Sequence, residues 1–225
     1  MRRFVVLLVF LGALLLGGFA WRRYSSADRT AQPVAPTITK LPVTFGFHTF
    51  DPAAPPHDMP PLGEGEEAEC DSNFVSNATV SGTLRRMDAT TATVSVTQVK
   101  VALELRINIW VPQGAAQQVI EHEQGHREIS EHYYQSADNV ARQIAAAYIG
   151  KQVVISGSDL NAEFTKALLQ MSADITAEYN DKLAPGPAQQ RYDDLTDHSR
   201  NDVLAKDAVA RALKETDDPA GAPAQ

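Results

Sequence analysis

A change in the period of the hydrophobic residues near Gly114 is the feature that most constrains the fold of this chain. Before it, residues 77–110 alternate β-branched or apolar residues with polar ones, which is typical of strands with one buried face. After it, apolar residues recur at every third or fourth position, which is typical of amphipathic helices. Strands followed by helices predict an α+β fold, in which a small antiparallel sheet precedes a set of packed helices.

Three helices are predicted after the strands. The first covers residues 115–149, the second begins after Ser158 or Asp159 as its N-cap, and the third covers residues 187–216. A further short strand is predicted at residues 43–50, ahead of the main strands. The chain has no internal repeat that would argue for a solenoid or another repeated architecture.

The first 23 residues predict that the body of the protein is exported. Two arginines precede an uncharged apolar run at residues 4–20, and two more follow it. This pattern is typical of a signal peptide or a membrane anchor, and it places the body in the periplasm or outside the cell, held at the inner membrane if the segment stays uncleaved. Residues 24–41 are predicted to be a linker, residues 42–216 the folded domain, and residues 217–225 a disordered tail.

The net charge and the cysteine content exclude several classes of function. The formal net charge of −8 argues against nucleic acid as a partner. Cys70 is the only cysteine, so the chain has neither an internal disulfide nor a zinc site built from thiolates. A metal site would have to be made from the six histidines and from carboxylates.

Residues 122–126, on the first predicted helix, have the sequence His-Glu-Gln-Gly-His. Successive residues of an α-helix turn by about 100°, so His122 and His126 lie only about 40° apart and both imidazoles can reach one metal ion. Glu123 lies about 100° away, beside the position of a metal-bound water, where it can act as a general base. This is the pattern of zinc-dependent hydrolases with a zincin-like motif helix, and Zn²⁺ is the predicted cofactor.

The hydrophobic stripe of the same helix predicts which way the two histidines point. Nine residues fall within about 60° of His122, and all of them except His126 are apolar or tyrosine: Ala115, Val119, His126, Ile129, Tyr133, Ala137, Val140, Ile144 and Ala147. The imidazoles are therefore predicted to face the core, where a pair without a ligand would be costly to desolvate. A buried metal site explains this placement better than two core histidines without a metal.

A third protein ligand is needed, and three residues are candidates. His198 lies on an inward-facing stripe of the third predicted helix and is favoured on geometry. Glu178 on the second predicted helix would complete a His, His, Glu set instead. His132 follows His126 by six residues, as in the metzincins, but an unbroken helix would turn it about 120° away from His126.

Two segments resemble a bacterial family of predicted secreted zinc-dependent proteases that carry the HExxH motif. The first is residues 122–129, preceded by Ile-Trp-Val-Pro at 109–112, and the second is residues 192–201. The late signature of that family, Tyr-Asp-x-x-Thr-x-His-Gly, is matched at Tyr192, Asp193, Thr196 and His198, with Ser199 in place of the glycine. The resemblance implies a secreted zinc protease and supports His198 as the third ligand.

The predicted activity is hydrolysis of a peptide or protein substrate by a zinc-bound water, with Glu123 as the base. Tyr192 is a candidate oxyanion donor, or else a core residue with its hydroxyl at the surface. The alternative function is a non-catalytic envelope protein with a structural zinc site. Structural zinc has four protein ligands and no open position, so the number of protein ligands distinguishes the two functions.

Overall fold

The computed structural model describes residues 34–63 and 65–217, and the structural statements below refer to these residues. The predicted targeting segment, residues 1–23, lies outside them, as do residues 218–225 of the predicted tail. Within the described ranges, no helix is both long enough and apolar enough to cross a membrane.

One long strand organises the sheet. The strands are β1 (Thr37–Lys40), β2 (Thr44–Phe50), β3 (Glu69–Arg86), β4 (Thr91–Pro112) and β5 (Gln152–Ser156). β3 pairs with β4 along almost its whole length, and β5, β1 and β2 pair with successive parts of β4. Because β3 occupies one edge of β4, the three short strands follow one another along the opposite edge.

The sheet is mixed rather than antiparallel. β1 and β2 run parallel with β4, whereas β3 and β5 run antiparallel to it. The prediction of an antiparallel sheet was therefore wrong, because alternating apolar residues indicate a strand but not the direction of its neighbour. The strand predicted at residues 43–50 is confirmed as β2, whereas β1 forms inside the segment 24–41 that was predicted to be a linker.

Five helices are described after β4: α1 (Gln117–Gln135), α2 (Ala137–Tyr148), α3 (Leu160–Leu183), α4 (Gly186–Thr196) and α5 (Ala205–Asp217). Only three helices were predicted. The structure has five, because the first predicted helix is interrupted at Ser136 and the third at residues 197–204. The predicted cap of α3 is confirmed at Asp159, whose side chain accepts hydrogen bonds from the backbone N–H groups of Asn161 and Ala162. β5, which lies between α2 and α3, was not predicted.

A small hydrophobic cluster joins Val119 of the motif helix α1 to the end of β4, and two further clusters also include residues of α1. The larger of these two packs α2 and α3 against one face of β4, where alternate residues such as Val101, Leu103 and Leu105 are buried. The other joins Ile129 of α1 to apolar residues of α4 and α5, among them Tyr192. This last cluster brings α4 against the helix that carries the two motif histidines.

Candidate metal centre

Helix α1 places the two motif histidines side by side, as their spacing predicts. The Nε2 atoms of His122 and His126 are 3.1 Å apart, and both side chains are largely buried. The two rings meet edge to face, with an interplanar angle of 89° and centroids 4.7 Å apart. Both Nε2 atoms therefore converge on one position instead of the rings stacking on each other.

Asp193 of α4 completes the group. Its Oδ1 atom lies 2.9 Å from Nε2 of His126 and 3.4 Å from Nε2 of His122. One ligand atom from each of these three residues lies within 4.8 Å of the other two, so the group could hold a metal ion. Asp193 was not among the predicted ligands.

The other nitrogen of each imidazole is held by α4. Nδ1 of His122 lies 3.2 Å from the hydroxyl of Thr196, which itself donates to the backbone oxygen of Tyr192 at 2.9 Å. Nδ1 of His126 lies 2.6 Å from the amide oxygen of Gln189. The tautomer that satisfies both of these contacts has the hydrogen on each Nδ1 atom and a lone pair on each Nε2 atom.

The atoms that converge between α1 and α4 are all acceptors in this tautomer. Oδ1 of Asp193 is buried and makes no hydrogen bond of ordinary geometry, although two Nε2 atoms lie close to it. Buried acceptors without a donor are costly, and either a proton shared with a histidine or a bound cation removes that cost. Imidazole nitrogen and carboxylate oxygen are both ligands of zinc, so these residues fit the predicted metal.

The charges of the group also favour a cation. Burial opposes the protonation of His126, but the Asp193 carboxylate outweighs it and raises the pKa of His126 to about 8. Burial lowers the pKa of His122. Burial opposes the ionisation of Asp193 as well, yet the two histidine rings beside its carboxylate hold the pKa of Asp193 well below its ordinary value. An ionised carboxylate therefore lies between two imidazoles that compete for one positive charge.

The close approach of α4 to α1 depends on a glycine and a tyrosine. The Tyr192 ring is fully buried and stacks on the His122 ring with centroids 5.0 Å apart, and its hydroxyl donates to the backbone oxygen of His122 at 3.1 Å. A Cβ atom at Gly125 would collide with the hydroxyl and the ring of Tyr192. This position of Tyr192 supports the packing role, with the hydroxyl buried rather than at the surface as expected, and the oxyanion role stays a prediction.

Glu123 lies in the wall of the cavity that opens onto the histidines. This cavity has a volume of about 380 Å³ and is lined by the three ligand residues, by Glu123 and by the start of β3. Burial raises the pKa of Glu123 to about 8, and burial with the nearby Glu66 raises the pKa of Glu69 to about 7. Carboxyls with a pKa near neutrality can take up and release a proton at physiological pH. Burial also raises the pKa of Cys70 to about 12, which keeps that group a thiol.

His198, the favoured third ligand, lies beside the group of three but is not part of it. α4 ends before this residue, and Asp197, His198 and Ser199 have left-handed backbone conformations with φ values of 47°, 51° and 66°. The predicted inward stripe assumed a helix that continues through His198, so the stripe does not exist. Nδ1 of His198 lies 3.8 Å from Oδ1 of Asp193 and 3.4 Å from Oε1 of Glu66.

Neither of the other two candidate ligands belongs to the group. Glu178 pairs with Lys182 on the next turn of α3 at 2.8 Å. His132 is exposed, and its ring centroid lies 5.8 Å from that of Tyr133. The prediction that the motif helix continues past Ile129 is confirmed, because α1 extends to Gln135.

The site residues that sequence reasoning missed share one face of α4. Gln189, Asp193 and Thr196 are separated by four and three residues, which places them on the same side of a helix. This spacing was a signal available in the sequence, and two of the three belong to the Tyr-Asp-x-x-Thr signature. The stripe through His198 implied a different orientation of this helix, in which these three residues do not face the motif histidines.

Comparison of the chain with protein families, with curated proteins and with solved structures found no match. The motif at residues 122–126 and the geometry around it are therefore the basis for assigning a function.

Proposed function

We propose that this protein is a zinc-dependent hydrolase that cleaves peptide bonds, with zinc held by His122, His126 and Asp193. The observation that carries the proposal is the convergence of three ligand atoms in a cavity that also contains the Glu123 side chain. Catalytic zinc is commonly held by three protein ligands drawn from histidine, carboxylate and cysteine. In this proposal, Asp193 takes the place that the sequence predicted for His198.

The number of ligands favours a catalytic site over a structural one. Catalytic zinc has three protein ligands and keeps one position for water or substrate, whereas structural zinc has four protein ligands. The group contains three residues, and a cavity opens at the position where they converge. The alternative function, a non-catalytic envelope protein, would require His198 to move in as a fourth ligand.

Glu123 is proposed as the general base. When bound, zinc would supply a positive charge that polarises the substrate carbonyl and lowers the pKa of a bound water. Glu123 is only 5% exposed, and it follows His122 directly on α1, in the wall of the same cavity. Its carboxylate takes the proton of the attacking water and delivers it to the leaving nitrogen, and a pKa near neutrality suits both steps.

The substitution Glu123→Gln tests this role, because it keeps the shape of the side chain and removes the base. The purified chain should retain about one zinc by metal analysis, while cleavage of a fluorescently labelled unfolded casein falls by at least about 100-fold. Glu121→Gln, an exposed carboxylate on the same helix, is the matched control and should retain full activity. Cleavage by Glu123→Gln at the rate of the unaltered chain would remove Glu123 from the mechanism.

We also propose that the body is exported, which rests on the arginines and the apolar run of residues 1–23. Fractionation of cells that produce the chain with a C-terminal tag tests this, with Glu123→Gln included to prevent self-cleavage. The tagged body should be found with periplasmic, membrane or secreted markers. Recovery with a cytosolic marker would contradict export without affecting the zinc site.

A further inference from the structure

A second cavity, with a volume of about 610 Å³, lies beside the metal cavity. Its wall is formed by the segment between β2 and β3 together with the end of β4, and five of its residues are prolines from residues 52–61. The apolar side chains of Phe50, Met59 and Leu62 complete most of the remaining wall, and Pro112 closes it on the side of β4. We call this cavity the proline-walled pocket.

The wall of the proline-walled pocket is preorganised. Each proline fixes its own φ angle and has no N–H group, so a proline wall has fewer donors to satisfy and less conformational entropy to lose when a ligand binds. The wall is also tied to the sheet, because Phe50 is 4% exposed and its backbone oxygen accepts a hydrogen bond of 2.8 Å from the N–H group of Gln113. A volume of about 610 Å³ is typical of pockets that bind small ligands or large side chains.

The proline-walled pocket adjoins the metal cavity. Glu66 lines both cavities, and its Oε1 atom lies 3.4 Å from Nδ1 of His198, which in turn lies beside Asp193. One peptide could therefore pass through the metal cavity and place a neighbouring side chain in the proline-walled pocket. Glu66 and Glu67 at the boundary of the pocket would repel an acidic side chain.

We propose that the proline-walled pocket binds a large apolar side chain of the peptide substrate, next to the bond that is cleaved. The inference rests on the proposed function and adds the substrate class to it. The chemistry of the wall identifies the occupant: it offers apolar surface, few donors and a negatively charged boundary, which fits an aromatic or a leucine-like side chain and disfavours aspartate and glutamate.

Calorimetric titration of the full-length, zinc-loaded Glu123→Gln protein tests the pocket without turnover. The probes are blocked pentapeptides, acetyl-Gly-Gly-Xaa-Gly-Gly-amide, in which Xaa is Phe, Ala or Asp. The Phe peptide should bind at least about tenfold more tightly than the Ala peptide, since burying a large apolar side chain contributes at least this much, and the Asp peptide should bind most weakly. Equal affinity for the Phe and Ala peptides would overturn the proposal.

A matched pair of variants locates the binding. Leu62→Asp changes a residue of the pocket that is 37% exposed, and Leu169→Asp makes the same change on the exposed side of α3. Leu62→Asp should abolish the preference for Phe, and Leu169→Asp should keep it. Independently of the variants, adding the Phe peptide should shift the amide NMR signals of Phe50 and Met59; unchanged signals there would refute the assignment.

The outcomes separate this inference from the proposed function. If the chelated, zinc-free protein keeps the preference for Phe while no hydrolysis is found in any assay, the pocket stands and the activity fails. If casein is cleaved in a Glu123-dependent way but the preference for Phe is absent, only the pocket assignment fails. Concentration-dependent dimerisation that Leu62→Asp abolishes, without binding of any peptide, would assign the pocket to a second copy of the chain and overturn the inference.

Discussion

The two segments that build the candidate metal centre differ in how much of their contribution is visible in their sequence. Helix α1 supplies His122 and His126 from consecutive turns of a regular helix, so the spacing alone predicts that they converge. The second segment, residues 186–199, consists of α4 and the left-handed turn after it, and we call it the α4 segment. It supplies Asp193 and the groups that hold both imidazoles.

In the proposed site, the motif on α1 brings two ligand atoms to one position, while the α4 segment supplies the third ligand and orients both rings. Convergence along α1 is a property of one helix. Convergence of Asp193 on the histidines depends on how closely α4 packs against α1, and the absence of a Cβ atom at Gly125 leaves the room that Tyr192 occupies there. Substitutions in each of the two segments separate these roles.

The largest effect is expected when the ligand from the α4 segment is removed. Asp193→Ala should lower zinc affinity by more than about 100-fold, because disturbing even a group that only orients a ligand costs about 10–100-fold. Asp194→Ala, the exposed neighbour, is the control and should bind zinc normally. The measurement is a competition titration against a chelator at one pH. If His198→Ala loses zinc and Asp193→Ala does not, the α4 segment contributes its ligand from the turn and our assignment is wrong.

A smaller loss of affinity is expected when the imidazoles lose their hydrogen-bond partners. Gln189→Ala should free Nδ1 of His126, and Thr196→Val should free Nδ1 of His122, each lowering zinc affinity by about 10–100-fold while leaving the stoichiometry at one. Gln190→Ala changes an exposed residue beside Gln189 and serves as the control. The same chelator titration applies. Full affinity in both variants would mean that α1 orients its histidines without help.

The contact between the two helices should be sensitive to one methyl group. Gly125→Ala should destabilise the zinc-free protein by about 1–3 kcal/mol, because its Cβ atom would collide with Tyr192 and force the helices apart. Gln124→Ala, at the exposed neighbouring position of α1, should leave the stability within about 0.5 kcal/mol. Urea unfolding of the two variants checks this. A Gly125→Ala protein as stable as the control would show that the spacing of the helices is not set by Tyr192.

The smallest effect is expected in the turn of the α4 segment, where a substitution should increase the stability of the protein instead of lowering it. Ser199 has a φ of 66°, a conformation that glycine adopts without a steric penalty, so Ser199→Gly should stabilise the protein by up to about 1 kcal/mol. Ser136→Gly is the matched control: Ser136 has a φ of −89°, and glycine there should be destabilising. Thermal unfolding measures both. Destabilisation by Ser199→Gly would argue against the left-handed turn.

Much of the architecture could be predicted from patterns of apolar residues. The alternation along residues 77–110 predicted buried strand faces, and Val101, Leu103 and Leu105 of β4 are buried as expected. What the pattern could not predict is the direction of pairing, because a strand buries the same face in either direction. β1 was missed because four residues are too few for alternation to be recognised.

The candidate site also has a part that could be predicted from the sequence and a part that could not. The convergence of His122 and His126 follows from about 3.6 residues per turn, so the sequence by itself determined that pair, with Glu123 beside it. The stripe that favoured His198 required a continuous helix, and three consecutive left-handed residues end that helix instead. Residues 197–199 are Asp-His-Ser and contain no glycine that would signal the left-handed turn.

Features that depend on a single helix or strand could therefore be predicted from the sequence. They are the strand and helix segments, the buried stripe of α1 and the two histidines one turn apart. The tertiary structure decided that Asp193 joins them, that Gln189 and Thr196 hold their rings, and that a proline-walled pocket lies alongside. The reason is the distance along the chain over which the interactions act. Helix geometry is fixed by neighbours within one turn, whereas a ligand from another segment depends on the packing of side chains about 70 residues apart in the chain, such as Gly125 and Tyr192.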